Sequence, residues 1–391
     1  MKNQEFMPSK APITHMSLLI TQACNLRCIY CYEDKVKATM NQKTAFSAVD
    51  WLIQKSEDMR IIHIVFFGGE PLLNFSLIKD VVQYANLAAY NAGKKAIFSI
   101  TTNGVLLDDE KNQFLKEYQI RTMISFDGTK ELQDLQRPFP TGVGSYDVVA
   151  PKIKKLLEVM PQTAGHAVIT GDTSPETVKD ALEEIGFRRV SVAINSQSLF
   201  SDHMSESEVS KRDTRSMLSA LEEEAALWHN QIDERDFNAL KRLIGRSNLY
   251  GALLYLLNDT KKRFFCGAGR NMTAVTPSGD IYLCHRFVGL ADYKIGNIDR
   301  LELDLTDFDQ SPVETNDVCR GCFARYYCGG GCKHDHLSSG GSIHRPEERM
   351  CLIKRRELEL ATTIVSRLSL ADRNWLVTEK IVPPKPCPLD F

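Results

Sequence analysis

Nothing in the 391-residue sequence approaches the run of about 18 apolar residues that a membrane-spanning helix requires. The longest apolar stretches, such as 64–67, end within a few positions. The N-terminal MKNQEFMPSKAPITH has no apolar core of the kind an export signal carries, so a cytoplasmic location is expected and a membrane partner is not. Neither sign of charge prevails: 48 Lys and Arg face 50 Asp and Glu, for a net charge of −2. Such a balance gives no long-range attraction to polyphosphate, and nucleic-acid binding has no support from composition. Low-complexity tracts are missing, and no internal repeat stands out beyond a β/α alternation. With 43% apolar and 25% charged residues, disordered, collagen-like and coiled-coil classes are excluded.

What the chain does hold is length for one large domain and a smaller one, because single cores stop growing at roughly 250–300 residues. From residue 15 to 195, short β-branched apolar runs alternate with longer amphipathic ones. Strands are expected at 15–20, 61–67, 96–101, 121–126, 166–170 and 190–195, with helical patterns between them such as 44–57 and 176–185. Six β/α units imply parallel strands with right-handed crossovers. The fold class is α/β, either an open, curved (β/α)6 partial barrel or a flat doubly wound sheet. Both architectures put their chemistry at the C-terminal ends of the strands. Residues 200–263 read as two or three polar-faced helices bridging two domains. Residues 264–352 are rich in Gly and Cys, as in a small domain built around metal. The expected division is thus 1–12 N-terminal segment, 13–199 partial barrel, 200–263 helical bridge, 264–352 Cys-rich domain, and 353–391 the C-terminal helix and an exposed Pro-rich tail.

Eleven cysteines are many for a chain in a reducing compartment, where thiols serve metal binding or catalysis rather than disulfides. Cys24, Cys28 and Cys31 follow the first strand at Cys-x3-Cys-x2-Cys spacing. Three thiolates so close in sequence can wrap one soft metal centre, but they are one short of a closed tetrahedral zinc site or a fully ligated cubane. A distant His completing a zinc knuckle is one outcome, and an open metal position is the other. The spacing, with aromatic Tyr30 just before the third cysteine, resembles that of the radical S-adenosylmethionine (SAM) enzymes. The resemblance implies a [4Fe-4S] cluster on the three cysteines, with the amino and carboxylate groups of SAM chelating the fourth iron. Further motifs fall in order at the ends of the next three strands. Gly68-Gly69-Glu70-Pro71 resembles the turn that meets the SAM ammonium. Two glycines let the backbone approach closely, and carbonyls plus a carboxylate suit a cation. Thr102 and Asn103 resemble the polar SAM-contacting stretch, and Ser125 and Asp127 the ribose and carboxylate contacts. Arg137 matches an Arg of the peptide- and protein-modifying branch, although Gln133 stands where that branch has His.

The later cysteines run Cys266, Cys284 (with Gly279 five positions before it), then Cys319-x2-Cys322-x5-Cys328-x3-Cys332, then Cys351. Cys319 and Cys322 alone would fit a zinc ribbon. The full set resembles the seven-cysteine SPASM domain, which follows radical SAM barrels that modify peptides and proteins. That resemblance implies Cys319, Cys322, Cys328 and Cys351 around one auxiliary [4Fe-4S] cluster and Cys266, Cys284 and Cys332 around another, making three clusters with the first. The last set leaves its fourth position open, to a non-cysteine ligand, or to Cys387, the eleventh cysteine. His285 follows Cys284 where the otherwise similar anaerobic sulfatase-maturating enzymes have a proton-accepting Asp. Cys-His-x-Phe-Val-Gly recurs instead in enzymes that cross-link ribosomally made peptides.

The resemblance therefore implies a SAM-cleaving oxidoreductase whose 5′-deoxyadenosyl radical takes a hydrogen atom from a precursor peptide, forming an intramolecular thioether, carbon–carbon or ether cross-link. Formylglycine formation or another peptide oxidation is the runner-up, and a zinc-stabilised scaffold the remaining rival. The implied partners are a ribosomal precursor peptide and a flavodoxin- or ferredoxin-type electron donor. With about twelve residues before the first strand, leader recognition is expected to fall on a separate protein, on the bridge helices or on a barrel edge.

Overall fold

A computed structural model describes residues 11–33, 36–170, 173–194, 206–300, 302–305 and 312–383. The expected strand end at residue 195, most of the 1–12 segment, and Cys387 with the tail around it lie outside the described residues. In chain order the first part runs β1 (His15–Thr21), α1 (Gln42–Lys55), β2 (Ile61–Gly68), α2 (Phe75–Asn91), β3 (Lys95–Thr102), α3 (Asp109–Glu117) and β4 (Arg121–Ser125). Then come α4 (Lys130–Gln136), α5 (Tyr146–Val159), β5 (Ala164–Ile169), α6 (Pro175–Ile185) and β6 (Arg189–Ile194). Three helices follow, α7 (Glu206–Asp233), α8 (Phe237–Arg246) and α9 (Tyr250–Asn258), and then three short strands, β7 (Met272–Val275), β8 (Asp280–Tyr282) and β9 (Lys294–Asn297). The last helices are α10 (Arg325–Cys328), α11 (Lys333–Gly340), α12 (Glu348–Arg367) and α13 (Leu370–Thr378). The mixed α/β class, the parallel sheet core, the helical stretch and the Cys-rich C-terminal region are as the sequence implies.

The chain divides into two compact units. The first takes Met1–Ser125, Gln133–Thr163 and Gly267–Gln310. Its strands lie in the order β4-β3-β2-β1-β7-β8-β9. The pairs from β4 to β7 are parallel, with Leu18 opposite Phe66 and Val275, while β8 and β9 close the edge in antiparallel fashion. Strand β1 has neighbours on both sides, and Met16, Leu18, Leu19 and Ile20 are all fully buried, as expected of a central parallel strand. Its neighbour β2 buries only alternate residues, Ile62, Ile64 and Phe66. Asn41 starts α1 by accepting the Thr44 N–H at 2.8 Å, and Asp108 starts α3 by accepting the Lys111 N–H at 2.9 Å. These caps end the connecting loops at set places, leaving the strand-to-helix segments above the sheet for chemistry. Sequence periodicity gives no hint of β7–β9, because strands of three or four residues are too short to show alternation.

The second unit takes Phe126–Leu132, Ala164–Cys266 and Ser311–Phe391. Strands β5 and β6 pair in parallel, with Ala167 opposite Val192. Helix α6 begins at Pro175 and stops at Gly186, whose φ of +119° is a left-handed value that suits glycine. A buried polar knot joins the helices around it. Glu224 on α7 is 3% exposed and accepts the N–H groups of Asn248 (3.0 Å) and Leu249 (2.9 Å) just before α9, while Lys179 of α6 stands 3.7 Å away. Arg246 of α8 pairs with Glu176, Asp180 and Glu183 along α6. Buried charges need such partners, so this knot fixes how α6 to α9 assemble.

Candidate active site

In the first unit, the loop after β1 carries Cys24, Cys28 and Cys31, the turn after β2 carries Gly68 to Pro71, and the end of β3 carries Thr102 and Asn103. Because β1, β2 and β3 are adjacent and parallel, the three segments emerge at one end of the sheet. They are also tied to one another. Gly69 and Glu70 donate their N–H groups to the carbonyls of Thr21 and Ala23, both at 2.9 Å. A Cβ on Gly68 would lie 2.1 Å from the Thr21 oxygen and one on Gly69 2.3 Å from the Ala23 oxygen, so the two backbones meet with no room for a side chain.

Glu70 is 0% exposed. Its Oε1 accepts the Leu72 N–H at 3.0 Å and the Thr102 hydroxyl at 2.7 Å, and its Oε2 accepts the Asn103 N–H at 2.8 Å. The carboxylate thus clasps the β2 turn to the end of β3. Burial pushes its pKa up to about 7, against the pull of the three donors. The Asn103 side-chain amide donates to Asn25 Oδ1 at 2.8 Å and reaches Cys24 Sγ at 3.8 Å, where the Leu26 N–H also points at 3.4 Å. Burial pushes the Cys24 thiol up to about 11, with Glu70, Cys28 and Cys31 adding to the rise. The loop itself is pinned by backbone bonds from Arg27 to Pro138 (2.8 Å) and Ile29 to Gln136 (3.0 Å).

Arg137 is 5% exposed, with its guanidinium 5.3 Å from the Tyr30 ring centroid. Gln133, in the place of the branch's His, is fully buried and donates to the Ser145 hydroxyl, which in turn donates to the Arg137 carbonyl at 2.7 Å. Pro71 starts a short 3₁₀ turn, and Ser125 closes β4, half-buried. Asp127 belongs to the second unit, where it is fully buried and accepts the Val168 N–H at 3.0 Å. Cys284 and His285 belong to the first unit. The His285 ring lies 4.3 Å from Phe67 at the end of β2 and 6.3 Å from Tyr32, and Arg286 sits 5.7 Å over Tyr32. This aromatic and cationic wall of Tyr32, Phe67 and Arg286 escaped sequence reasoning, although each residue directly flanks a recognised motif.

In the second unit, Cys319, Cys322, Cys328 and Cys351 line one cavity of about 660 Å³, measured out to its open mouth, and Cys332 lines it too. Burial raises the pKa of Cys319 to about 11 and pushes Cys328 and Cys351 up as well; the neighbouring thiols push each in the same direction. Cys266 is exposed in the same unit. The ten described cysteines form no disulfide. Among the described residues no three His, Cys, Asp or Glu side chains converge as ligands of a single metal ion. The thiols of a cubane each bind a different iron, and thiols gathered in one loop or around one cavity are the donor chemistry a cluster takes.

Residues 18–194 match the Radical SAM superfamily. The chain belongs to that superfamily, and membership implies a [4Fe-4S] cluster and SAM as cofactors. An uncharacterized protein of Methanocaldococcus jannaschii is 30% identical over 317 residues, 80% of this chain and 96% of its own. A cysteine-type anaerobic sulfatase-maturating enzyme of Clostridium perfringens is 25% identical over 353 residues, 81% of this chain and 89% of its own. In fold the chain is similar to anSMEcpe, solved with bound AdoMet and the Cp18Cys peptide, at a TM-score of 0.70 and 20% identity over 92% of this chain and 99% of that one. It is also similar to SuiB of Streptococcus suis bound to its precursor peptide SuiA, at a TM-score of 0.56 and 19% identity over 87% of this chain and 76% of that one. No helix among the described residues is long and apolar enough to cross a membrane.

Proposed function

We propose that this protein is a radical SAM peptide maturase that forms an intramolecular cross-link, a thioether, carbon–carbon or ether bond, in a ribosomally made precursor peptide. The observation that carries the reading is His285, which follows Cys284 and packs on Phe67 beside the Gly68-Gly69 turn. A sulfatase-type carboxylate is replaced there by an imidazole within an aromatic and cationic wall. When bound, the cluster on Cys24, Cys28 and Cys31 supplies the electron that cleaves SAM to the radical that takes a hydrogen atom from the substrate. The chain's own residues do the rest. Gly68 and Gly69 let the SAM-contacting turn pack directly on the backbone of the cysteine loop at Thr21 and Ala23, the Glu70 clasp holds that turn to Thr102 and Asn103, and Arg137 stacks on Tyr30 beside the third cysteine. Ser125, at the end of β4, adds to the SAM contacts on this reading. Cys319, Cys322, Cys328 and Cys351 would hold an auxiliary cluster, which would supply one-electron redox chemistry. Residues 13–199, 200–263 and 264–352 serve as barrel, bridge and cluster domain, with a flavodoxin- or ferredoxin-type donor and a separate leader-binding protein as partners.

The second reading, formylglycine formation, draws support from the 25% identity to the sulfatase-maturating enzyme along most of both chains. Anaerobic co-expression with a candidate precursor peptide separates the two. A cross-link gives a peptide lighter by two hydrogens that keeps its sulfur, whereas a cysteine-derived aldehyde has lost it. Peptide of unchanged mass alongside active SAM cleavage overturns the cross-linking reading.

A further inference from the structure

We infer that Lys354, held by Glu357 and Tyr327, is a positioning residue that sets the reduction potential of the cluster on Cys319, Cys322, Cys328 and Cys351. The inference rests on the reading that these four thiols hold a cluster. Lys354 lies one turn beyond Cys351 on α12, and its side chain lines the same cavity as the four cysteines. Its ammonium is fixed rather than free to wander. Glu357, 4% exposed, receives it on both oxygens at 3.0 and 2.7 Å and also accepts the Tyr327 hydroxyl. The same ammonium stands 5.5 Å from the centroid of the Tyr327 ring, and Tyr327 directly precedes Cys328.

Charge at this distance matters because a thiolate-ligated cubane is an anion that gains a further negative charge on reduction. A nearby cation favours the reduced form and raises the potential, as outer-shell charge and hydrogen bonds do at metal sites generally. The cations around the cavity are also distributed. Lys354 favours the thiolate of Cys328, Arg355 that of Cys351, and Lys333 that of Cys319. Lys354 is tied to a buried carboxylate through two bonds and to the residue before a ligand. Its charge and that of Glu357 act on the cluster with opposite signs.

That opposition supplies the test. Full-length protein is reconstituted anaerobically, reduced stepwise with dithionite, and followed by EPR, the relevant signal being the one that Cys322→Ala removes. Lys354→Met should lower that cluster's midpoint potential by a tenfold change in its one-electron equilibrium, about 59 mV. Glu357→Gln should raise it, and Lys354→Arg should restore a wild-type value. A merely structural role would move Lys354→Met and Glu357→Gln in the same direction, and that result, or no shift in either, overturns the inference. Should Lys354→Met fail to assemble, Glu357→Gln and Lys354→Arg decide by the same signs. A wild-type protein with no signal that depends on Cys322 would fail the cluster reading itself and the inference with it.

Discussion

Asn103 gives its backbone N–H to Glu70 at 2.8 Å while its side-chain amide reaches toward Cys24, so one residue joins the buried carboxylate to the first cysteine of the loop. Glu70→Ala would leave the Leu72 and Asn103 N–H groups and the Thr102 hydroxyl without their acceptor inside the protein. At 1–3 kcal/mol for each buried orphan, partly relieved by rearrangement, the cost should be about 3 kcal/mol. Urea unfolding would measure it, and SAM binding by calorimetry should weaken in parallel because the turn loses its anchor.

The same carboxylate carries a pH signature. Its pKa is raised from 4.5 to about 7 in the folded protein, so the folded state keeps a proton that the unfolded chain has lost across that window. Its contribution to stability is therefore full below pH 4.5 and is lost as pH rises through about 7. Stability of the wild type relative to Glu70→Gln should fall between pH 5 and roughly 7.5. A constant difference across that range would place the proton elsewhere.

Gly69→Ala tests the close approach of the two backbones. The added methyl would sit 2.3 Å from the Ala23 carbonyl oxygen and 2.6 Å from that of Gln22, and neither is the end of a flexible side chain. Either the turn after β2 or the cysteine loop must move. We expect a loss of about 3 kcal/mol or more in stability. Near-normal unfolding together with unchanged SAM affinity would show that the loops are not held as the Thr21 and Ala23 hydrogen bonds require.

Much of this site is legible in the sequence because each motif follows a strand whose apolar pattern is unambiguous. Cys24 to Cys31, Gly68 to Pro71, and Thr102 to Asn103 sit at strand ends that the structure places within a residue or two of expectation. Side-chain pairing is not legible in the same way. That Glu70 spends its oxygens on Leu72, Thr102 and Asn103 depends on β2 and β3 being neighbours in register, which no local pattern specifies. Strands β7 to β9 were hidden for another reason: β7 is stabilised by pairing with β1, some 250 residues away in sequence, and its own four residues carry little propensity signal. Helix α13 likewise depends on a capping box between Ser369 and Asp372 in a stretch read as tail.

At the opposite end of the sheet, His63 packs edge-on against His15 with ring centroids 5.0 Å apart and shares a 2.7 Å hydrogen bond with Ser99. Burial, then the neighbouring His15 and Arg121, lowers its pKa from 6.5 to about 4. Between those values the unfolded chain binds a proton that the folded one refuses. Its contribution is present above pH 6.5 and is lost as pH falls toward 4. Solvent reaches part of the ring, so screening reduces the size of the effect. His63→Gln, which keeps a partner for Ser99, should flatten the fall in melting temperature between pH 7 and roughly 5. An equally steep fall in the variant would assign the acid sensitivity to other groups.

The two cysteine sets should answer differently to removal of their thiols. In the loop after β1 the Leu26 N–H and the Asn103 amide reach Cys24 Sγ, but the backbone bonds from Arg27 to Pro138, Ile29 to Gln136 and Glu70 to Ala23 use no cysteine side chain. Replacing Cys24, Cys28 and Cys31 together by Ala should therefore leave the melting temperature within a few degrees of wild type, while SAM cleavage is abolished. The second set lines a cavity between α10, α11 and α12, where Cys319 is 8% exposed and the surrounding backbone is rich in glycine. A region built around that cavity loses its centre when it cannot take up metal, so Cys319→Ser or Cys328→Ser should lower soluble yield and melting temperature. Deoxyadenosine release by mass spectrometry and thermal unfolding on the same anaerobic preparations read both effects. Continued deoxyadenosine production by the triple variant would remove the loop from the SAM chemistry, whatever the behaviour of the second set.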